Sequence, residues 1–451
     1  MTQTLKPYSS YKDNSEMWLG KIPSHWELIR TKTILKERIQ KGYPDETLLA
    51  ATQTKGVVRK ELYENRTVTA QKDLELLKLV KVGDFVISLR SFQGGIEYAR
   101  EQGIISPAYT VLHAINSDFH GFLAHLFKSK PYIENLSVNV TGIRQGQNVD
   151  YERLSRTKIP LPPLSEQTAI VRYLNYMDRR INRYINAKKK LIELLNEQKQ
   201  AIIHQAVARG LNPNVRLKAS GIEWLGDIPE HWHLSRMKNE FKCLDRQRIP
   251  ISGMERGTMT LRKYDYYGAS GIIDKVDGYL FDDELLLIAE DGANLLLRNL
   301  PLAIIAHGQY WVNNHAHILK PRHGNIEYLA DVLETLNYSP WISGAAQPKL
   351  TQDRFMAINI AVPNLEDQNK IIKVIQREVE PLELAIGHAK HEITLLREYR
   401  SRLISDMVTG KLDVRDVAAG LPDEIEETAD DTEIELPGDS DLEEQEEHAD
   451  N

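Results

Sequence analysis

Two stretches of the chain carry apolar residues at alternating steps of three and four, the heptad pattern of a long helix with one apolar seam. The first seam runs from Ile170 through Tyr184 and Leu191 to Ile202, and the second runs from Ile372 to Met407. Each segment covers about 44 residues, or about 65 Å of helix at 1.5 Å per residue. The pattern therefore predicts two long helices, over 165–210 and 363–417.

Residues at the ends of these segments favour the same boundaries. Ser165 and Asn364 follow prolines and are suited to begin a helix. Gly210 and Gly410 stand where a helix would stop. Pro381 lies inside the second segment and is expected to kink it or to interrupt one backbone hydrogen bond.

The chain also repeats itself. The box at 18–26, Trp-Leu-Gly-Lys-Ile-Pro-Ser-His-Trp, returns at 224–232 with seven of its nine residues unchanged. Residues 162–167 return in similar form at 363–368. Two repeats are too few for a solenoid, so we predict a pseudo-twofold pair. Its two helices would then run antiparallel and act as a spacer between two heads, whereas a coiled coil that serves only dimerisation is the alternative.

Short apolar runs punctuated by Gly, Asn and Asp fill the stretches between each box and the next helix, which favours an α+β fold. The runs lie at 84–89 and 108–113 in the first stretch, and at 284–289, 302–306 and 358–362 in the second. The predicted organisation is a first globular domain at 1–164, a first helix at 165–210, a second box and domain at 211–362, a second helix at 363–417, and a tail at 418–451.

Charge is distributed unevenly along the chain. The 451 residues carry a net charge of −7, but 15 of the 64 acidic residues lie in 421–451, which holds no Lys or Arg. The remainder has 57 basic and 49 acidic residues, a net of +8, which suits a polyanionic partner. The tail is too acidic and too poor in apolar residues to pack, so we predict a solvated, disordered tail. Competition with nucleic acid for the basic body is the alternative role for it.

Nothing in the sequence predicts secretion, membrane insertion or disulfide bonds. No apolar run approaches the roughly 18 residues that span a bilayer. The first residues lack the apolar core of a signal peptide. Cys243 is the only cysteine, which excludes an internal disulfide and a multi-cysteine zinc site. We therefore expect a cytoplasmic protein.

Catalytic motifs are absent or weak. Neither a phosphate-binding GxxxxGK[ST] loop nor a GxGxxG loop occurs. His307, His315, His317 and His323 cluster in the sequence, and two histidines one residue apart on a strand could share a metal ion. Without a nearby cysteine or a clear carboxylate ligand, the better interpretation is polar or packing roles. We predict no catalytic residue, no metal and no cofactor in this chain.

Polar and aromatic loops are the candidate DNA-reading segments. Arg, Gln and Lys can bind base edges or phosphates, and aromatic rings can stack on bases. An ordinary surface turn is the alternative interpretation for each loop. The candidate residues are Arg90, Ser91, Phe92, Gln93, Arg144, Gln145, Gln147, Lys263, Tyr264, Tyr266, Tyr267, Gln347 and Lys349. The two Trp boxes are interpreted as structural anchors.

Taken in order, these motifs resemble the specificity subunit of Type I restriction-modification systems over about residues 15–417. The segments that carry the resemblance are the two boxes, 162–167, 201–211, 103–111, 267–272 and 409–414. The resemblance implies two target recognition domains, each of which reads one half of a bipartite double-stranded DNA sequence. It also implies that the paired helices set the gap between the halves.

The same resemblance implies partners that carry the chemistry. Two methyltransferase subunits would use S-adenosylmethionine to methylate adenine, and two motor-nuclease restriction subunits would use ATP and Mg²⁺ to translocate and cut. This chain would itself have no active site. Two other functions stay open from the sequence: an orphan DNA-binding adaptor that regulates a restriction or defence system, and a coiled-coil scaffold without DNA recognition.

Overall fold

The computed structural model divides the chain into two compact units. It describes residues 5–53, 55–62, 73–89, 91–138, 140–141, 148–223, 225–344 and 348–422. Unit 1 contains the described residues up to 187 together with those from 391 onward, and unit 2 contains those of 188–390. Arg90, Arg144, Gln145, Gln147, Gln347 and the predicted tail beyond 422 lie outside the described residues.

Both predicted long helices are present, as Leu164–Arg209 and Leu365–Val408. The Asn364 side chain accepts a hydrogen bond from the Asp367 backbone N–H at 2.9 Å, so Asn364 caps the second helix as predicted. Gly210 and Gly410 follow the two helices, each with a φ of +76°. The left-handed backbone at Gly410 ends the second helix at the predicted stop, and a short helix, Arg415–Ala419, overlaps the end of the predicted segment up to 417.

The two helices pair within each unit, and one half of each helix lies in each unit. In unit 1, Asp178 of the first helix accepts an ion pair from Arg400 of the second at 2.6 Å. In unit 2, Lys199 pairs with Glu383. The first half of one helix thus lies against the second half of the other, which confirms the antiparallel prediction. Pro381 lies inside an unbroken helix.

The predicted seam is confirmed in the second helix and is wrong in the middle of the first. Tyr184 is 54% exposed, whereas its neighbour Ile185 is 7% exposed. Leu191 is 40% exposed, and Ile203 is buried where the pattern placed Ile202. The misfit at Tyr184 and Leu191 lies next to the boundary between the units at residue 187, where the first helix leaves the core of unit 1 and enters that of unit 2.

The same four-stranded antiparallel sheet forms the frame of both units, with the strands in the same spatial order. In unit 1 the order is Leu35–Glu37, Thr110–Ala114, Phe85–Ile87 and Glu97–Tyr98. In unit 2 it is Phe241–Cys243, Ala316–Pro321, Leu285–Ala289 and Ala303–Ala306. A strand pair precedes each long helix, Glu27–Arg30 with Lys158–Leu161 and His233–Arg236 with Asn359–Val362.

The units differ in what surrounds this frame. Unit 1 adds the pairs Leu49–Thr52 with Gly56–Arg59, Lys78–Val80 with Gly103–Ile105, and Val140–Thr141 with Asn148–Val149. Unit 2 adds a second sheet in the order Gly271–Val276, Tyr264–Gly268, Gln309–Val312 and Phe281–Asp282. The helices of unit 1 are Thr31–Ile34, Ser91–Gly94, His120–Phe127, Lys130–Val138 and Tyr151–Leu154. Those of unit 2 are Met237–Glu240, Gly253–Gly257, Asn294–Leu297, Ile326–Thr335 and Gln352–Ala357. This mixture confirms the α+β prediction.

Each Trp box forms the same small structure. Tyr11–Lys12 pairs with Ile22–Pro23 in the first box, and Leu217–Ala219 pairs with Asp227–Pro229 in the second. Trp26 and Trp232 close the two boxes and are 0% and 2% exposed. Each donates its backbone N–H to a proline carbonyl three residues earlier at 3.0 Å. Both tryptophans therefore anchor their boxes in the core, while Trp224 lies outside the described residues.

The start of the first long helix is tied to the first box through a buried carboxylate. Glu166 is 2% exposed and accepts hydrogen bonds from Trp26 Nε1 at 2.8 Å and from the Tyr8 hydroxyl. His25 Nε2 lies 2.8 Å from its second oxygen. At the matching start of the second helix, Asp367 lies 3.4 Å from His231. Box and helix therefore meet through a histidine and a carboxylate in both units.

Candidate nucleic-acid interface

Two of the predicted loops are neighbours in unit 1. The connection that follows strand Phe85–Ile87 holds the short helix Ser91–Gly94. This helix contacts the strand Asn148–Val149, which with Val140–Thr141 encloses residues 142–147. The structure therefore places Ser91, Phe92 and Gln93 beside the base of the second candidate loop.

Unit 2 repeats this arrangement. The connection after strand Leu285–Ala289 holds the helix Asn294–Leu297. The Gly292 N–H donates to the Pro348 carbonyl at 3.1 Å, and Asp291 bridges to Lys349. The segment 343–349 is closed by two backbone hydrogen bonds between Ser343 and Lys349, at 2.8 and 2.9 Å. In each unit the connection that follows the equivalent frame strand thus adjoins a second segment, which is the strand Asn148–Val149 in unit 1 and residues 348–349 in unit 2.

Sequence reasoning missed the connection at 291–300. Its residues are mostly apolar, and Leu296, Leu297 and Leu300 are 50%, 63% and 52% exposed, so it did not fit the polar-aromatic pattern. The signal that could have found it is its position, because it follows the strand that repeats the one before Arg90. Asn294 holds the connection in shape through hydrogen bonds of 2.9 Å to the N–H and the carbonyl of Leu300.

The candidate residues of the first loop differ in their exposure. Ser91 is 1% exposed and its hydroxyl accepts a hydrogen bond from the Ser88 N–H at 2.8 Å, which gives it a structural role. Phe92 is half-buried against the core, and Gln93 is exposed. Gly95 has a φ of +86°, and a Cβ there would collide with the Phe127 carbonyl. This glycine is therefore explained by packing within the protein.

A buried ion pair supports the first loop from below. Lys128 Nζ donates to Glu97 Oε1 at 2.6 Å, to the Gly94 carbonyl at 2.8 Å and to the Gln53 carbonyl at 2.9 Å. Glu97 is 1% exposed, and burial raises its pKa to about 7 although Lys128 opposes the shift. Lys128 therefore joins the short helix to the sheet beneath it.

The aromatic candidates of unit 2 lie on a strand of its second sheet. Lys263 is exposed and its ammonium lies 5.1 Å from the ring centre of Tyr264, which is half-buried. Tyr267 is half-buried against Tyr310. Tyr266 is 1% exposed, and its hydroxyl accepts a hydrogen bond from a backbone N–H at 3.2 Å. The buried Tyr266 belongs to the core, whereas the exposed Lys263 and the half-buried Tyr264, at the start of the strand, form the accessible part.

A second polar cluster supports the loop that carries Lys349. His317 is 1% exposed; its Nδ1 lies 2.6 Å from Asp245 and its Nε2 lies 2.7 Å from the Leu350 carbonyl. Arg248 Nη1 lies 2.6 Å from Glu290, and Lys349 Nζ lies 3.2 Å from the same carboxylate. Both ring nitrogens of His317 face acceptors, so the ring is held between Asp245 and Leu350.

This cluster also has the composition of a metal site, because Asp245, Glu290 and His317 each offer a ligand atom within 4.8 Å of the others. Arg248 and Lys349 already neutralise the carboxylates, and an ion could enter only after they were displaced. Burial alone would raise the pKa of Asp245, but the hydrogen bond and charge of His317 hold it below its usual value. The cluster is therefore best explained as a polar support for the loop that carries Lys349.

Two units with one frame and paired connections are typical of a protein with two similar recognition surfaces. The model of the Type I restriction modification DNA specificity domain matches the chain twice, over residues 23–194 and 240–388. Since these matches cover more than half of the chain, it belongs to this family. Among the described residues, no helix combines the length and apolarity that a membrane span requires.

Curated proteins that are similar to this chain are described as specificity subunits of type I restriction enzymes. The putative type I restriction enzyme MjaX specificity subunit of Methanocaldococcus jannaschii is 24% identical over 435 residues, which are 88% of this chain and 96% of the relative. The MjaVIII specificity subunit of the same organism is 23% identical over 441 residues, 90% and 98% of the two chains. A putative specificity subunit of Haemophilus influenzae is 37% identical over 112 residues, which are 24% of this chain and only 28% of that relative.

A solved structure shares the fold. It belongs to a study of complex assembly and conformational transition of the type I restriction-modification system, and the chain matches it with a TM-score of 0.60 at 16% identity. The match covers 87% of this chain and 99% of that one.

Proposed function

We propose that this chain reads a two-part sequence in double-stranded DNA as the specificity subunit of a Type I restriction-modification complex, with one part of the target read by each unit. The observation that carries the proposal is the repeated frame. In both units the equivalent strand of the frame is followed by a connection with a short helix, and a second segment lies against that connection, yet the side chains of the two units differ. That combination suits a protein that reads two different short sequences by the same geometry.

The candidate side chains for DNA contact lie on these connections and, in unit 2, also at the strand Tyr264–Gly268 of the second sheet. In unit 1, Gln93 is exposed on the connection that follows strand Phe85–Ile87, and Arg144 lies outside the described residues, so its contact with DNA stays a prediction from the sequence. In unit 2, Lys349 and the pair of Lys263 and Tyr264 are exposed or partly exposed. Lysine and arginine contacts to phosphates would give affinity, and the amide of Gln93 would contact a base edge.

We further propose that the chain positions its partners and performs no chemistry itself. Two methyltransferase subunits with S-adenosylmethionine and two restriction subunits with ATP and Mg²⁺ would complete the complex. A base inside a duplex is out of reach for methylation, so those partners would have to extrude the target adenine. The paired helices pass from one unit to the other and are suited to set the gap between the half-sites.

Modified-base sequencing of host DNA with and without this gene tests the proposal. We expect a two-part methylated motif that disappears on deletion and returns with the intact gene. The control is deletion of the methyltransferase gene, which should remove the same motif. A methylated pattern that is unchanged by loss of this chain, while the methyltransferase is expressed, would contradict the proposal.

A further inference from the structure

A groove in unit 2 lies between the helix Ile326–Thr335 and the paired long helices. Its volume is about 420 Å³. Ile203, Ile375 and Val379 of the long helices form part of its floor, and Ile305 of the sheet completes one side. The floor is therefore apolar.

The rim of this groove is acidic. Glu327 and Asp331 come from the shorter helix, and Glu380 and Glu383 come from the second long helix. Lys199 pairs with Glu383 and is the single cation among the residues that line the groove. Burial and the neighbouring Glu327 raise the pKa of Asp331 to about 6. Glu327 and Asp331 therefore repel each other, and added positive charge would relieve this repulsion.

The equivalent place in unit 1 has a different character. The two boxes are 206 residues apart, and at this offset Glu327 and Asp331 correspond to Gly121 and His125. The starts of the two long helices are 201 residues apart, so Glu380 and Glu383 correspond to Arg179 and Asn182. None of the four carboxylates has an acidic counterpart.

The space in unit 1 is also closed. Arg400, which corresponds to Lys199, forms an ion pair with Asp178 at 2.6 Å and lies 3.5 Å from Asn182. The remaining cavity has a volume of about 10 Å³. The open acidic groove is therefore a feature of unit 2 and not a general result of the fold.

We infer that the groove of unit 2 docks a protein segment that presents lysine or arginine around a short apolar side chain, and that unit 1 offers no counterpart. Charge complementarity argues for this occupant, because the rim repels the phosphates of DNA and the floor suits an apolar anchor. A partner that binds the chain twice would then bind its two units with unequal affinity. The choice of the methyltransferase subunit as this partner rests on the proposed function, whereas the groove and its charge do not.

Native mass spectrometry of the full-length chain titrated with the methyltransferase subunit encoded beside it provides the test. We expect two unequal binding steps. Glu380→Arg reverses an exposed charge on the rim and is expected to weaken the stronger step about tenfold. Glu380→Gln should have a smaller effect in the same direction. Raising the salt concentration should narrow the difference between the wild type and the variants.

Arg179→Glu is the matched control, because it reverses the charge at the equivalent position of unit 1. It should leave the stronger step unchanged. Equal weakening by Glu380→Arg and Arg179→Glu, or no effect of Glu380→Arg, would overturn the groove as a docking site while leaving the proposed function intact. If the methyltransferase subunit did not bind the wild-type chain at all, both the groove and the proposed function would be contradicted.

Discussion

The two units share a sheet but support their loops with different chemistry. In the strand register of the frame, His317 of unit 2 occupies the place of Thr110 in unit 1, and Glu97 of unit 1 occupies the place of Ile304. Unit 1 holds its loop with one buried carboxylate and Lys128, whereas unit 2 uses a histidine between carboxylates. Apolar residues thus fix the frame, and unit-specific polar contacts fix the loops, so loops can diverge while the frame stays the same.

The largest expected effect comes from removing the polar support of unit 2. His317→Leu leaves the carboxylate of Asp245 and the Leu350 carbonyl without their buried partner, which is expected to cost about 3 kcal/mol of stability. Chemical unfolding of the full-length chain measures this loss in the free energy of unfolding. His315→Leu is the matched control, because His315 is 46% exposed and its pair with Asp291 is worth less than about 1 kcal/mol. Similar losses in both variants would show that the buried cluster is not a support.

A second comparison separates the two helix ends. Gly410→Ala and Gly210→Ala both place a side chain at a φ of +76°, which costs about 1 kcal/mol. At Gly410 the new Cβ would also collide with Pro23, whereas at Gly210 the nearest atom belongs to Trp232 at 3.4 Å. We expect Gly410→Ala to lower the free energy of unfolding by about 2 kcal/mol more than Gly210→Ala does, in the same unfolding measurement. Equal losses would mean that the first box does not press on the helix end.

The smallest expected effect is the pH dependence of stability that Glu97 causes. The pKa of Glu97 is about 7 in the folded protein and near 4.3 when unfolded, so the unfolded chain loses this proton first. The contribution of Glu97 to stability is full below pH 4, falls as the pH rises to about 7 and is level above it.

Glu97→Gln removes the titrating group and should abolish this loss of stability with rising pH. Between pH 4 and pH 8, the free energy of unfolding of the variant should therefore rise by on the order of 2 kcal/mol relative to that of the wild type. Urea unfolding across this range measures it, and Glu101→Gln, in an exposed pair with Arg59, is the control. Parallel stability curves for wild type and Glu97→Gln would contradict the buried carboxylate account.

The long helices and the repeat could be predicted from the sequence because both are local patterns. A heptad seam and a nine-residue box need no knowledge of the partner surface. The seam failed at Tyr184, next to the boundary at residue 187 where the first helix passes from the core of one unit to that of the other, which the spacing of apolar residues does not show. The mixed character of the two globular parts was also evident, since short apolar runs between turn residues mark strands wherever they occur.

The binding surfaces were less predictable for physical reasons. Alternation along the strand of Tyr264 and Tyr266 shows that the two share a face but not that this face meets the core. Ser91 has the composition of a loop residue and yet its hydroxyl is used within the protein. The acidic groove requires Glu327 and Glu380 to come together from segments more than 50 residues apart, which only the fold reveals.

The most direct test of the central claim, that each unit reads one half of the target, is to replace residues 27–160 with the corresponding domain of a relative of known target. The methylated motif is then determined by modified-base sequencing. We predict that one half-site changes, while the other half-site and the gap between them stay the same. A change in both half-sites, or in neither, would contradict the account.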